Sequence, residues 1–275
     1  MAFFTTSDDR RIFFEDTGTG TPVLCLAGLT RNSRDFAFLA PHITDLRMIT
    51  MDYRGRGQSD HDPDYINYNI IRESLDVVEL LDHLGLDRVA ILGTSRGGLI
   101  AMTLAVSHPE RLSGVVLNDV GPVIESVGIA KIMEYVGKQP VSKTYDEAAL
   151  VLQQAMEQQF PGVSLARWRQ QADFQYEQTQ NGLTLRYDPA LRTALLEQAA
   201  AGTPPDLWMF FEALRGIPTG VIRGANSDVL GKDTLAEMHK RHSGLISAEI
   251  PDRGHVPFLD EPQSLALIRN VLDTA

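Results

Sequence analysis

The chain has 275 residues, of which 43% are hydrophobic and 22% charged, so it can bury a sizeable core and intrinsic disorder is not expected. Its 36 acidic and 25 basic residues give a formal net charge of −11, which argues against partners such as nucleic acid or anionic membrane surfaces. Neither an export signal nor an apolar run of about 18 residues is apparent, so we expect a cytoplasmic protein without a membrane span. The single cysteine, Cys25, lies in an apolar run and is expected to be a buried thiol.

From about Arg11 to Asp119, the sequence alternates short apolar runs with longer helical patterns. Because the short runs are apolar throughout, we expect strands covered on both faces. Strand, helix and strand in repetition predict a mostly parallel sheet with right-handed crossovers. The predicted strands are Arg11–Asp16, Val23–Leu26, Arg47–Met51, Arg88–Gly93 and Leu112–Asp119, and the predicted helices are Ile66–Leu84 and Gly97–Ser107.

This alternation stops between Pro122 and Arg215, where the patterns are helical and rich in aromatic residues. We therefore predict a helical cap of residues 122–215 inserted into a core domain of residues 1–121 and 216–275. Within the cap, helices are predicted over Glu147–Gln159, Leu165–Gln178 and Ala190–Ala201. After the cap, we predict strands over Thr219–Arg223 and Leu245–Ile250, with helices near Lys232–Arg241 and over Gln263–Asp273.

The strongest chemical motif is Gly93-Thr94-Ser95-Arg96-Gly97, which follows a predicted strand and precedes a predicted helix. This context is typical of a nucleophile elbow, in which a serine hydroxyl projects from a cramped strand-to-helix turn. Small flanking residues let the backbone fold back on itself, and amide groups at the helix N-terminus can stabilise negative charge. Ser95 is therefore the predicted nucleophile.

A serine hydroxyl is a weak nucleophile and needs a base within hydrogen-bond reach. His255 follows the predicted strand Leu245–Ile250, at the sheet edge where reactive groups of open α/β sheets gather. The other histidines lie in polar loops, near helix ends or on a solvent-facing helix. His255 is therefore the predicted base, and no metal site is predicted because the His239/His242 pair lacks further ligands nearby.

These motifs together resemble the serine hydrolases of the α/β-hydrolase fold, in the branch with a helical cap after the sixth strand. The resemblance spans nearly the whole chain outside the cap. It implies a twisted, mostly parallel sheet with helices on both faces, and a catalytic triad in the order serine, acid, histidine. It is carried by the elbow Gly93–Gly97 and by the segments Asp52–Ser59, Gly224–Asp228 and Gly254–Pro257.

Two aspartates at predicted strand ends could orient His255. The resemblance favours Asp228, because the loop after the penultimate strand is the usual position of the acid. Asp119 is the alternative, and a turn or capping role would explain it otherwise. Whichever aspartate is not the acid should tolerate substitution by asparagine.

The resemblance also implies an oxyanion hole formed by the backbone N–H groups of Leu29 and Arg96. The family usually has His-Gly in the loop after its third strand, whereas this chain has Ala27-Gly28-Leu29. The donor is a backbone amide, so the missing imidazole need not abolish it. The Asp52–Ser59 segment is expected to shape the scaffold rather than to contact substrate.

The expected activity is hydrolysis of a small carboxylic ester or lactone through an acyl-enzyme on Ser95. A carbon–carbon bond hydrolase is the first alternative, and a ligand receptor that retains the triad is the second. Arg31 and Arg34 could receive a substrate carboxylate, although a surface salt bridge would equally explain each. The aromatic residues Trp168, Trp208 and Phe211 could roof an apolar pocket or simply hold the cap together. No cofactor is predicted, and the oligomeric state is left open.

Overall fold

The computed structural model describes residues 1–202 and 205–275, and its centre is an eight-stranded sheet. The strands follow the order β1-β2-β4-β3-β5-β6-β9-β10 across the sheet. Strand β2 is antiparallel to β1 and β4, and all other neighbours are parallel. These strands are β1 (Ala2–Thr5), β2 (Arg11–Thr17), β3 (Pro22–Leu26), β4 (Arg47–Met51), β5 (Val89–Thr94), β6 (Leu112–Asn118), β9 (Thr219–Gly224) and β10 (Ile246–Ile250).

Helices of the described residues connect the parallel strands and fill the segment between β6 and β9. That segment, which we call the insert, also contains a two-stranded antiparallel hairpin of β7 (Tyr176–Thr179) and β8 (Gly182–Leu185). The helices are α1 (Ile70–His83), α2 (Arg96–Ser107), α3 (Ser126–Tyr135), α4 (Tyr145–Met156), α5 (Leu165–Gln175), α6 (Leu191–Ala200), α7 (Trp208–Glu212), α8 (Lys232–Arg241) and α9 (Pro262–Leu272).

The sheet is buried on both faces, as its apolar strand sequences predict. All six residues of the central strand β5 are buried. One hydrophobic cluster joins the sheet to α1, α2 and α7, and a second joins its other face to α9. Cys25 on β3 is fully buried in the second cluster, which confirms the expected state of this thiol. The structure thus confirms the predicted α/β architecture.

Local sequence features explain where helix α1 begins and which side it buries. The side chain of Asn69 accepts a hydrogen bond from the backbone N–H of Arg72 and so caps the helix N-terminus. Val77, Leu80 and Leu81 recur at helical spacing and are buried against the sheet. Among the described residues, no helix combines the length and apolar character that crossing a membrane requires.

Several elements differ from the sequence-based prediction. Strand β1 and helix α3 were not predicted, and the predicted helix Leu165–Gln178 ends at Gln175, where the hairpin begins. Short edge strands such as β1 bury few residues and so leave a weak periodic pattern. The predicted cap includes residues 203–204, which lie outside the described residues.

Candidate active site

Ser95 occupies the sharp turn between β5 and α2. Its backbone has φ 49° and ψ −109°, a conformation that side-chain-bearing residues rarely adopt. The N–H of Ser95 donates to the carbonyl oxygen of Asn118 at 3.0 Å, which ties the turn to the end of β6. Because strained backbone of this kind concentrates at functional sites, the geometry supports the predicted elbow.

Glycine is required on both sides of Ser95 because other chain segments approach too closely for a side chain. A Cβ on Gly93 would lie 2.5 Å from backbone atoms of Gly97 and Gly98. A Cβ on Gly97 would lie 2.2 Å from the carbonyl oxygen of Leu26 on β3. The turn can therefore fold this tightly only with the Gly-x-Ser-x-Gly spacing found in the sequence.

Ser95 belongs to a continuous hydrogen-bonded chain with His255 and Asp119. His255 Nε2 lies 3.0 Å from Ser95 Oγ, and His255 Nδ1 lies 2.7 Å from Asp119 Oδ2. A carboxylate facing Nδ1 favours the tautomer that carries its proton there, which leaves Nε2 free to accept the serine proton. The three residues follow β5, β10 and β6, so they meet at the carboxyl edge of the sheet.

Asp119 is fully buried and held by three donors. Besides His255, the backbone N–H of Gly224 donates to Asp119 Oδ1 at 2.8 Å, and the hydroxyl of Ser227 donates to Oδ2 at 2.6 Å. These bonds satisfy a carboxylate that would otherwise be costly to bury. The contact from Ser227 was not anticipated, because nothing in the sequence distinguishes this serine from an ordinary loop residue.

The expectation that Asp228 contacts His255 is wrong. The Asp228 carboxylate instead lies 2.7 Å from Nζ of Lys131 on α3 and accepts a hydrogen bond from the side chain of Gln159. Both partners belong to the insert, so this carboxylate is engaged there, while Nδ1 of His255 is engaged by Asp119. The order serine, acid, histidine fits either aspartate, and only the three-dimensional arrangement distinguishes them.

The loop after β3 passes directly beside Ser95. A Cβ on Gly28 would lie 4.0 Å from Ser95 Cβ, and the neighbouring Leu29 lines the same cavity as Ser95. Within residues 1–202 and 205–275, neither the N–H of Leu29 nor that of Arg96 donates to a protein acceptor. Arg96 begins α2, where backbone N–H groups have no partner inside the helix. Both predicted oxyanion donors are therefore free to bind a ligand.

A buried charge network joins the residues that carry these two N–H groups. Arg56 Nε donates to the carbonyl oxygen of Leu29 at 3.0 Å, and Arg56 Nη1 lies 2.8 Å from Glu73. The same Glu73 carboxylate accepts a hydrogen bond from Nε of Arg96. Burial lowers the pKa of Arg56, and the adjacent negative charge of Glu73 opposes this shift.

The rest of the Asp52–Ser59 segment is structural, as predicted. Arg54 is fully buried and forms ion pairs with Asp76 at 2.6 Å and with Asp62 at 2.5 Å. The Asp52 carboxylate accepts hydrogen bonds from the backbone N–H groups of Ser33 and Gln58. These contacts hold the loop after β4 against its neighbours.

Ser95 and His255 open into a cavity of about 460 Å³. The insert provides much of its wall, and Met156, Phe160 and Trp168 give one side an apolar character. The Trp168 ring packs edge-on against Phe160 and Phe258, with centroid distances of 5.7 and 6.1 Å. This volume is typical of a small-molecule site.

Only some of the residues predicted to contact substrate line this cavity. Arg31 and Trp168 line the cavity. Arg34 lies outside it and faces Asp173 at 3.8 Å on the surface, so its predicted substrate contact is wrong.

Trp208 and Phe211 also lie outside the cavity, and the prediction that they roof it is wrong. Phe211 is fully buried in the hydrophobic cluster beneath α2, and Trp208 packs on Phe211 and under the guanidinium of Arg241. Their helix α7 contacts α2 and so belongs to the layer that covers the sheet. Aromatic content alone could not separate these residues from Trp168.

Among the described residues, no three histidine, cysteine or acidic side chains cluster in a way that could hold a metal ion.

Comparison with known proteins agrees with this geometry. The family model described as the alpha/beta hydrolase fold matches residues 21–262. The chain is 36% identical over 254 residues to the 3-hydroxybutyrate-oligomer hydrolase of Cupriavidus necator, covering 89% of this chain and 86% of that protein. It is 25% identical to the 2-(acetamidomethylene)succinate hydrolase of Mesorhizobium japonicum, covering 94% and 90% of the two chains.

Solved structures give the same result. A crystal structure of an alpha/beta hydrolase from Novosphingobium aromaticivorans superimposes with a TM-score of 0.92 at 37% identity, covering 100% of this chain and 98% of that one. The match extends over the insert as well as the sheet. The chain therefore belongs to the alpha/beta hydrolase fold family and is a hydrolase.

Proposed function

We propose that this protein hydrolyses carboxylic esters through a covalent acyl-enzyme on Ser95. The observation that carries the proposal is the hydrogen-bonded chain from Ser95 Oγ through His255 to the buried Asp119. His255 removes the serine proton as Ser95 attacks the ester carbonyl, and the same imidazole then protonates the departing alcohol. Asp119 keeps the imidazole in the required tautomer and stabilises it when it becomes charged.

The backbone N–H groups of Leu29 and Arg96 would bind the oxyanion that forms on the carbonyl. Leu29 lines the cavity beside Ser95, and Arg96 begins the helix that follows it. Removing one such donor typically reduces turnover by about 100- to 1000-fold. Water then attacks the acyl-enzyme by the same route, and His255 returns its proton to Ser95.

The substrate we propose is a small ester of a hydroxy acid. The relative from Cupriavidus necator, which the chain matches over 86% of its length, is named for hydrolysis of 3-hydroxybutyrate oligomers. A cavity of about 460 Å³ has room for a ligand of a few such residues. Cleavage of a carbon–carbon bond is less well supported, since no observation in the cavity favours it over ester hydrolysis.

We further propose that residues 122–215 act as a cap that encloses the substrate. The wall residues Met156, Phe160 and Trp168 come from the insert, whereas Ser95 and His255 come from the sheet edge. Excluding water from such a site strengthens the hydrogen bonds that stabilise the oxyanion. A lactone would fit the same arrangement, because its ring ester presents the same carbonyl to Ser95.

Substitution of Ser95 tests the proposal directly. Ser95→Ala should lower kcat on p-nitrophenyl butyrate and on the linear dimer of 3-hydroxybutyrate by about a million-fold, the scale seen when a hydrolase loses its serine nucleophile. Ser247→Ala is the matched control, because Ser247 is an exposed serine on β10 whose hydroxyl is hydrogen-bonded to His239. Circular dichroism should show that both variants keep the fold.

A fluorophosphonate probe should label the wild-type protein and the Ser247→Ala control but not Ser95→Ala. Ester hydrolysis by Ser95→Ala above about 1% of the wild-type rate would contradict the assignment. Ligand binding without measurable turnover in the wild type would instead indicate a receptor.

A further inference from the structure

The cavity has a polar side formed around Arg31, three residues after the glycine that borders Ser95. The N–H of Arg31 donates to the carbonyl oxygen of Gly28 at 3.1 Å. A Cβ on Gly28 would lie 3.3 Å from Arg31 Cγ and 4.0 Å from Ser95 Cβ. The stem of the arginine therefore lies over the same backbone segment as the nucleophile, and its guanidinium is within reach of a ligand bound at Ser95.

The guanidinium is held in a fixed orientation by groups on two sides. Arg31 Nε donates to both carboxylate oxygens of Asp35, at 2.7 and 2.9 Å. Arg31 Nη2 donates to the side-chain oxygen of Gln171 on α5, a residue that is itself buried. In the part of the chain that the structure describes, Nη1 has no protein acceptor, so its two N–H groups remain available. A planar donor that is already oriented loses little entropy when it binds a ligand.

Asp35 maintains the charge on Arg31, and two phenols near the guanidinium can donate hydrogen bonds. Burial opposes this charge, but the Asp35 carboxylate outweighs burial and raises the pKa of Arg31. The phenols of Tyr135 and Tyr176 line the same cavity as the guanidinium, and partial removal from water there raises the pKa of both, although Tyr135 is about half exposed at the surface. Both phenols therefore stay neutral and can donate O–H groups.

We propose that Arg31 binds a carboxylate of the substrate and gives the enzyme a preference for esters that carry one. This inference rests on the proposed ester hydrolysis and specifies the class of ester. A carboxylate fits because it is planar, accepts several hydrogen bonds and carries a single negative charge. Asp35 offsets much of the arginine's charge, so a dianion such as phosphate would be disfavoured, and hydrogen bonds rather than net charge should dominate the attraction.

Among the described residues, two other charged groups line the cavity, Glu134 and Lys138, and both are exposed. Their opposite charges contribute little to the balance, and water screens them. The polar side of the cavity is therefore governed by Arg31 and the groups that hold it. The apolar wall at Phe160 and Trp168 would receive the hydrocarbon part of the same ligand.

The test compares matched esters with and without a carboxylate. The first pair is mono-p-nitrophenyl adipate and p-nitrophenyl hexanoate, which differ in whether the acyl chain ends in a carboxylate. The second pair is the linear dimer of 3-hydroxybutyrate and its terminal amide, which differ in whether the alcohol part of the ester carries a carboxylate. The wild type should prefer the carboxylate in at least one pair.

Arg31→Gln should lower kcat/KM for the preferred carboxylate ester by about 10- to 100-fold, mainly by raising KM, because it removes a charged hydrogen-bond donor. The neutral partner should change by less than about threefold. Arg34→Gln is the matched control, since this neighbouring arginine lies on the surface outside the cavity. Arg31→Lys, which keeps the charge but not the planar donor, should give an intermediate loss, and thermal unfolding should confirm that each variant is folded.

Equal losses on both members of each pair would show that Arg31 only holds the loop against α5, and would overturn the inference. Equal activity of the wild type on both members of each pair would overturn it as well. In either case, Ser95-dependent hydrolysis of the neutral esters would leave the proposed function intact. Failure of the proposed function would appear differently, as hydrolysis that survives in Ser95→Ala.

Discussion

The choice between Asp119 and Asp228 as the triad acid yields the sharpest prediction. In Asp119→Asn, one oxygen of the carboxylate becomes an amide nitrogen, yet three donors still converge on the site from Gly224, Ser227 and His255. An amide facing His255 Nδ1 donates a proton instead of accepting one. It therefore stabilises the tautomer in which Nε2 carries the proton and cannot accept one from Ser95.

The expected loss can be given a magnitude. The equivalent substitution in another serine hydrolase lowers kcat by about 10,000-fold, which at about 1.36 kcal/mol per tenfold corresponds to about 5.4 kcal/mol in the activation barrier. Asp228→Asn removes only a partly exposed ion pair with Lys131, an interaction worth about 1 kcal/mol at most. Its kcat should therefore stay within about threefold of wild type, since it contacts none of the reacting groups.

The assay is steady-state hydrolysis of p-nitrophenyl butyrate by wild type, Asp119→Asn and Asp228→Asn at equal protein concentrations. For each protein that reacts with the fluorophosphonate probe, titration with the probe gives the concentration of active sites. Thermal unfolding of each variant separates loss of chemistry from loss of fold. A larger kcat loss in Asp228→Asn than in Asp119→Asn would refute the assignment. Retention of more than about a tenth of the wild-type kcat in Asp119→Asn would also refute it.

Two further predictions concern stability. Gly97→Ala should lower the free energy of unfolding by about 1 to 3 kcal/mol or more, because its Cβ would meet the carbonyl oxygen of Leu26 at 2.2 Å; an unchanged midpoint in thermal unfolding would contradict this. Glu73→Gln should cost about 3 to 5 kcal/mol in urea unfolding, because it leaves the buried guanidinium groups of Arg56 and Arg96 without their shared counter-charge. A loss below about 1 kcal/mol would show that the network is not needed to bury these charges.

The sequence was sufficient to predict most of the sheet, the elbow and the position of His255 at the sheet edge, because each has a local pattern. Apolar runs predict buried strands wherever they occur, and Gly93, Ser95 and Gly97 have a spacing that one type of turn demands. The acid has no such pattern. Asp119 and Asp228 both follow strands and precede His255 along the chain, and they differ only in which one the folded loops direct at the imidazole.

The aromatic residues show the same limit. Trp168 lines the cavity and Phe211 is buried under α2, yet both lie in the stretch that looked like a uniform helical insertion. Helical spacing shows which residues share a face, but not which surface that face covers. The partner of each face depends on contacts between distant segments, which no local pattern records.

The position of α7 has a consequence for exchanging parts between related enzymes. Its Phe211 is packed beneath α2, whereas Met156 and Trp168, which lie earlier in the insert, line the cavity at Ser95. A chimera that takes the cavity-lining part of the insert from a relative should therefore return to its own sequence before Trp208. Such a hybrid would take its cavity wall from the donor and keep the hydrophobic packing beneath α2, the helix that follows Ser95. A junction at residue 215 would replace part of that packing too.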